Sequence, residues 1–108
     1  VESLVNELHS STTVYIVECK ELRAVKIGMT GNLTKRMSQL RQGIPVPVDL
    51  ITAFAAPAWV EEKLHAYLAS YGVKGEWFRK EGEVLAIIKL AEKADVPGIA
   101  KKLIAAGV

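Results

Sequence analysis

Apolar and polar positions change their period several times along the chain. Val1–His9 has apolar residues at 1, 4, 5 and 8, a spacing that predicts a short helix. Thr12–Cys19 reads T-T-V-Y-I-V-E-C, and this density of β-branched and aromatic residues predicts a strand. Ala24–Met29 predicts a second strand, with Lys20–Arg23 as the hairpin turn between them. Asn32 suits the N-cap of a helix through about Gln42, whose stripe is Leu33, Met37 and Leu40 and which Gly43 stops. Pro45 and Pro47 lead into a third strand over Val48–Ala55. Pro57 opens a helix to about Tyr71 that buries Val60, Leu64, Tyr67, Leu68 and Tyr71. Gly72 and Gly75 bracket a turn, Trp77 and Phe78 are expected to plug the core, Glu83–Ala94 is helical by period, and Pro97 opens a last helix.

A hairpin joined by a helix to a third strand, with helices following, is an α+β arrangement. Strand–helix alternations are too few for a doubly wound sheet. The 108 residues fit a single domain spanning 1–108.

The hairpin turn also sets a register. A two- or four-residue turn pairs positions whose numbers sum to 43. Val14 then faces Met29 and Ile16 faces Ile27 on the core side. Tyr15 faces Gly28 and Val17 faces Lys26, so Tyr15, Lys26 and Gly28 share the other side. That side is either a solvated sheet face or the floor of a site.

Composition narrows the function classes. The net charge of +2 is too small to identify a nucleic-acid partner by itself. The single cysteine, Cys19, rules out an internal disulfide and a multi-cysteine zinc site and reads as a packing residue. No apolar run is long enough for a transmembrane helix, and the first residues lack the blocks of a signal peptide. The expected setting is intracellular, cytoplasmic or nucleoid-associated, with no membrane partner.

Local charge is more informative. Leu22–Val48 holds Arg23, Lys26, Lys35, Arg36 and Arg41 and no acid before Asp49. This block is either a solvated basic surface or a track for a phosphate backbone. Arg36 flanks the apolar stripe of its helix while Lys35 points away, so Arg36 can offer its planar fork to a phosphate or pair with Glu61 or Glu76. Gly28-Met29-Thr30-Gly31 ahead of a helix is similar to phosphate-cradling loops, although most such glycines simply make a turn.

Glu61 and His65 lie four apart on one helical face beside the Val60–Leu64 stripe, whereas Glu62 points to solvent. A carboxylate at such a rim suits a hard divalent cation, and the spacing equally suits an ordinary Glu–His pair. Glu76, between Gly75 and Trp77, reads as a fold-holding acceptor. His9 has no evident partner.

Taken in order, V-Y-I-V, V-K-I-G-M-T, N-L-T-K-R-M-S-Q-L, V-E-E-K-L-H and G-E-W-F resemble the GIY-YIG endonuclease superfamily, most closely its phage-type branch. The resemblance covers about residues 13–78 and leaves 79–108 as a helical C-terminal extension. It implies a small three-stranded antiparallel sheet flanked by helices, and metal-dependent hydrolysis of DNA phosphodiesters with Mg²⁺ or Mn²⁺. By the same resemblance Tyr15 activates or orients water, Gly28 keeps side chains off the phosphate, and Arg36 holds the scissile phosphate. Glu61 binds the metal, and His65 matches a histidine frequent in this branch. Lys26 stands where many members carry a second tyrosine, and an ammonium there neutralises developing negative charge. Arg23, Gly28, Thr30, Lys35 and Arg41 are the expected DNA and phosphate contacts.

Two further readings remain beside the endonuclease. One is a non-cleaving DNA-binding module of the same fold. The other is a partner-binding domain of a larger protein, or a homodimer, using Val84, Ile87, Ile88, Leu90, Ile99, Leu103 and Ile104 of the C-terminal helices.

Overall fold

A computed structural model describes residues 12–108. The helix expected over Val1–His9, and His9 with it, lies outside the described residues. The hairpin forms as its composition predicts: β1 (Thr13–Cys19) runs antiparallel to β2 (Ala24–Thr30). Its four-residue turn is closed by the Arg23 N–H donating to the Lys20 carbonyl at 3.2 Å, and the register pairs Tyr15 with Gly28 and Ile16 with Ile27. The first helix, α1 (Leu33–Gly43), starts where Asn32 caps it, its side chain accepting from the Lys35 N–H at 3.0 Å. β3 (Asp49–Ala55) pairs antiparallel with the far edge of β1. α2 (Ala58–Tyr67) follows Pro57, and a short 3-10 turn spans Ala69–Tyr71. α3 (Glu83–Glu92) and α4 (Val96–Ala106) complete the chain, the latter capped by Asp95 accepting from the Gly98 N–H at 2.9 Å.

The sheet departs from the three-stranded expectation. Two further strands, β4 (Gly72–Lys74) and β5 (Trp77–Arg79), form a second hairpin, and the sheet has five strands in the order β3-β1-β2-β5-β4. The class is still α+β. Gly75, at φ +57°, makes the turn between these strands, so the glycines sit in a hairpin rather than around a simple loop. Three-residue strands are too short to show a period of two, which is why Val73–Phe78 carries no strand pattern.

Both faces of the central strands are buried. Val14, Ile16, Val25, Ile27 and Phe54 face Val60, Leu64 and Leu68, with Val84, Ile87 and Ile88 of α3 and Ile99 and Leu103 of α4 in the same core. The C-terminal helices therefore spend most of their apolar residues on their own domain. Of those offered above as a partner surface, only Ile104 is largely exposed, at 76%. On the other face Tyr15, Val17, Cys19 and Ala24 are also buried. Arg36 reaches Tyr15 from α1, and Met37 is buried beside it in the same helix, so α1 lies over this side. Phe78 enters the core as expected. Trp77, one residue earlier and so on the opposite face, is only half-buried.

Candidate functional site

The site is organised around the middle of β2. β5 covers its outer edge only from Ala24 to Lys26, because the chain turns away at Glu76. Ile27 would be left with an unpaired edge. Its N–H instead donates to the Glu76 carbonyl at 3.1 Å, and its carbonyl lies 2.7 Å from His65 Nε2. A side chain from α2 thus replaces the missing strand, as burial of a backbone carbonyl requires.

His65 has a second neighbour. The same Nε2 lies 3.1 Å from Glu61 Oε1. Both neighbours are acceptors, so the geometry assigns the proton to Nε2, and in the neutral ring the lone pair is on Nδ1. The ring is fixed from below by Phe78, with centroids 5.3 Å apart and planes tilted by 56°. Glu61 is thereby held in one orientation at the helix rim. It is the one buried charged residue among the described residues, while Glu62 is exposed. Burial raises the Glu61 carboxyl above its ordinary range; His65 pulls it down, Glu76 pushes it up, and Lys26 pulls it down.

Glu76 belongs to the same group. One donor atom each from Glu61, His65 and Glu76 lies within 4.8 Å of the others. Two carboxylates at that spacing fit a divalent cation that keeps several of its waters, with His65, its Nε2 proton committed, beside them rather than on the ion. Glu76 also pairs with Lys26, whose side chain is only 14% exposed. The sequence signal for Glu76 was present but indirect: Lys26 on a half-buried strand face needs a counter-ion.

Across β2 the arrangement changes character. Tyr15 is fully buried, with its ring against Gly28; a Cβ built there would lie 2.5 Å from the tyrosine oxygen. Arg36 Nη1 donates to that oxygen at a long 3.5 Å. Gly28 is thus required by the tyrosine ring itself, a reason for glycine that stands apart from room for a phosphate. Neither Tyr15 nor Lys26 decorates a solvated face. Arg36 pairs with no acid among the described residues, since Glu61 and Glu76 are taken by His65 and Lys26.

The basic block divides in space. Thr30, Lys35 and Arg36 line one polar groove with Gly31, Asn32 and Gln39, at the N-terminal end of α1. Arg41 lines a different groove with Ile44–Val48. Arg23 lies at the hairpin turn, seven residues before Thr30, or about 24 Å along β2 at roughly 3.4 Å per residue. On one side of β2, Tyr15 packs against Gly28 and meets Arg36, which shares its groove with Thr30 and Lys35; at the edge, Lys26, Glu61, His65 and Glu76 gather beside Ile27. Arg23 and Arg41 are not part of that gathering.

The T5orf172 domain model matches residues 12–92, from the start of β1 to the end of α3. The chain belongs to the T5orf172 domain family. The domain is found in phage and nuclease-like proteins, and membership is compatible with a nuclease-like or DNA-binding role. The T5orf172 match includes α3, so the domain extends beyond Phe78. No curated protein and no solved structure gives a match. No helix of the T5orf172 domain or of α4 is long and apolar enough to cross a membrane, among the described residues.

Proposed function

We propose that the chain is a metal-dependent endonuclease of GIY-YIG type that hydrolyses DNA phosphodiester bonds. The observation that carries this reading is that two unlike groups meet adjacent residues of β2, Ile27 and Gly28. Glu61 and Glu76, with His65 orienting Glu61, form a cation-capable pair at the sheet edge, and a guanidinium–phenol pair, Arg36–Tyr15, lies across the strand. Phosphodiester hydrolysis needs both a cation and fixed positive donors at the phosphate.

Each side chain then has a task. Glu61 holds Mg²⁺ or Mn²⁺, which supplies charge neutralisation at the phosphate and leaving oxygen. His65 keeps the Glu61 carboxylate aimed outward and donates its Nε2 proton to do so. Arg36 presents its fork to the phosphate from the edge of the Thr30–Gln39 groove, and Lys35 adds charge at the rim. The Tyr15 hydroxyl, anchored under Arg36, orients the guanidinium.

Membership of a family found in phage and nuclease-like proteins supports this reading. The non-cleaving DNA-binding module is the second reading. It is favoured by the complete burial of Tyr15, which leaves its hydroxyl no solvent contact in this conformation.

Incubation of the 108-residue chain with supercoiled plasmid and Mg²⁺, Mn²⁺ or EDTA separates the two. The endonuclease produces nicked or linear DNA with either metal and none with EDTA. Retardation of DNA without strand breakage under every condition establishes the binding module instead.

A further inference from the structure

The Lys26–Glu76 ion pair joins two groups that the proposed chemistry would use separately. Lys26 is on the Gly28 face of β2, with its ammonium drawn to Glu76 at the sheet edge. Glu76 is at the same time within cation-ligand distance of Glu61 and His65. One carboxylate therefore has two competing positive partners. The pair is asymmetric in exposure: the Lys26 side chain is 14% exposed and that of Glu76 is 41% exposed. Glu76 can turn toward Glu61 at little desolvation cost, whereas a largely buried ammonium cannot be left without an anion.

We propose that Glu76 is a second carboxylate ligand of the cation, and that Lys26 and the cation compete for it. This rests on the reading of Glu61 as a cation ligand. A divalent ion seated on Glu61 and Glu76 takes away the Lys26 counter-ion and repels the ammonium at short range. Lys26 then turns away from Glu76, and a substrate phosphate replaces the lost carboxylate. Cation and phosphate consequently bind with positive coupling: the phosphate provides the anion that the cation removes. The same exchange gives Lys26, at the position of the second motif tyrosine, an electrostatic task at the phosphate that begins only when the cation is in place.

Mn²⁺ affinity of the full chain, measured by calorimetry and by the loss of the free-ion paramagnetic resonance signal, tests this without any cleavage assay. Lys26→Met keeps the apolar stem and removes the competitor, so Mn²⁺ should bind about fivefold more tightly than to the parent. Glu76→Gln should bind more weakly than the parent, and Glu61→Gln should not bind measurably. A short non-cleavable phosphorothioate oligonucleotide should tighten Mn²⁺ binding to the parent and leave Lys26→Met unaffected. Circular dichroism melts confirm that each variant is folded. Glu76→Gln reports independently of Lys26→Met should the latter fail that check. Parent-like Mn²⁺ affinity in Glu76→Gln overturns the exchange while leaving the Glu61 site standing, provided Glu61→Gln has lost the ion. Mn²⁺ binding that survives Glu61→Gln, or is absent from the parent, overturns the cation reading of the site itself.

Discussion

Adding one methyl group at Gly28 should unsettle the domain far more than its size suggests. A Cβ at that position lies 2.5 Å from Tyr15 Oη, 2.6 Å from Cζ and 2.9 Å from Cε2. All are closer than real Cβ atoms approach, and the ring has nowhere to go. Tyr15 is fully buried, flanked by Gly28 on one neighbouring strand and Ala53 on the other. The ring or the β1–β2 ladder must shift. Overpacking of this kind costs about 1–3 kcal/mol. A domain of about 100 residues loses roughly 4–8 °C per kcal/mol, so Gly28→Ala should lower Tm by about 4–24 °C. Gly31→Ala is the control, since a Cβ there meets nothing within 4 Å, and it should stay within about 0.5 kcal/mol of the parent. Thermal melts and urea titrations with unchanged slope measure both. Adding Tyr15→Leu to Gly28→Ala should recover part of the loss relative to the sum of the single changes, the mark of a direct clash. Equal melting of Gly28→Ala and Gly31→Ala would refute the packing argument and, with it, the account of why glycine stands at the centre of the site.

Other changes test the neighbouring contacts. Burial raises the Glu61 carboxyl, so between its ordinary value of 4.5 and its folded value the native chain binds more protons than the unfolded chain. Stability contributed by Glu61 therefore falls as pH rises through that window. Glu61→Gln should gain on the parent in Tm from acid to neutral pH, with the difference fading below the ordinary value; a difference that shrinks toward neutrality contradicts the burial assignment. His65→Phe keeps the ring over Phe78 but strands the Ile27 carbonyl, at a cost of about 1–3 kcal/mol in a urea titration; parent-like stability removes His65 from the sheet edge. Arg36→Lys keeps the charge and loses the fork, so cleavage should drop markedly with Tm nearly unchanged. A large fall in Tm with cleavage intact would instead make Arg36 a residue of the fold.

The parts legible in the sequence are those where one local rule decides the outcome. The turn at Lys20–Arg23 fixes the hairpin parity, and through it the Tyr15–Gly28 and Val17–Lys26 pairs, without any tertiary information. The Asn32 cap and the Glu61-against-Glu62 contrast follow from helical phase in the same way. The features that escaped depend on contacts between distant segments. β4 and β5 exist because Ala24–Lys26 offers them an edge, and no period in Gly72–Arg79 announces that. Glu76 reads as a local acceptor until Lys26, 50 residues earlier, is seen beside it. The resemblance gives His65 no role, and its shortest contact, to the backbone of β2, supplies one. The basic block shows the opposite failure: five residues of one acid-free segment are spread over two grooves, a turn and the Lys26–Glu76 ion pair.

The most direct test of the endonuclease account compares Glu61→Ala with Glu62→Ala. The two side chains are chemically identical and adjacent, but Glu61 is buried beside His65 and Glu62 faces solvent. Plasmid nicking rates across a range of Mg²⁺ concentrations, with DNA affinity measured alongside, isolate position from chemistry. The account predicts that Glu61→Ala loses nicking and still binds DNA, while Glu62→Ala nicks at the parent rate. Parent-rate nicking by Glu61→Ala would contradict it.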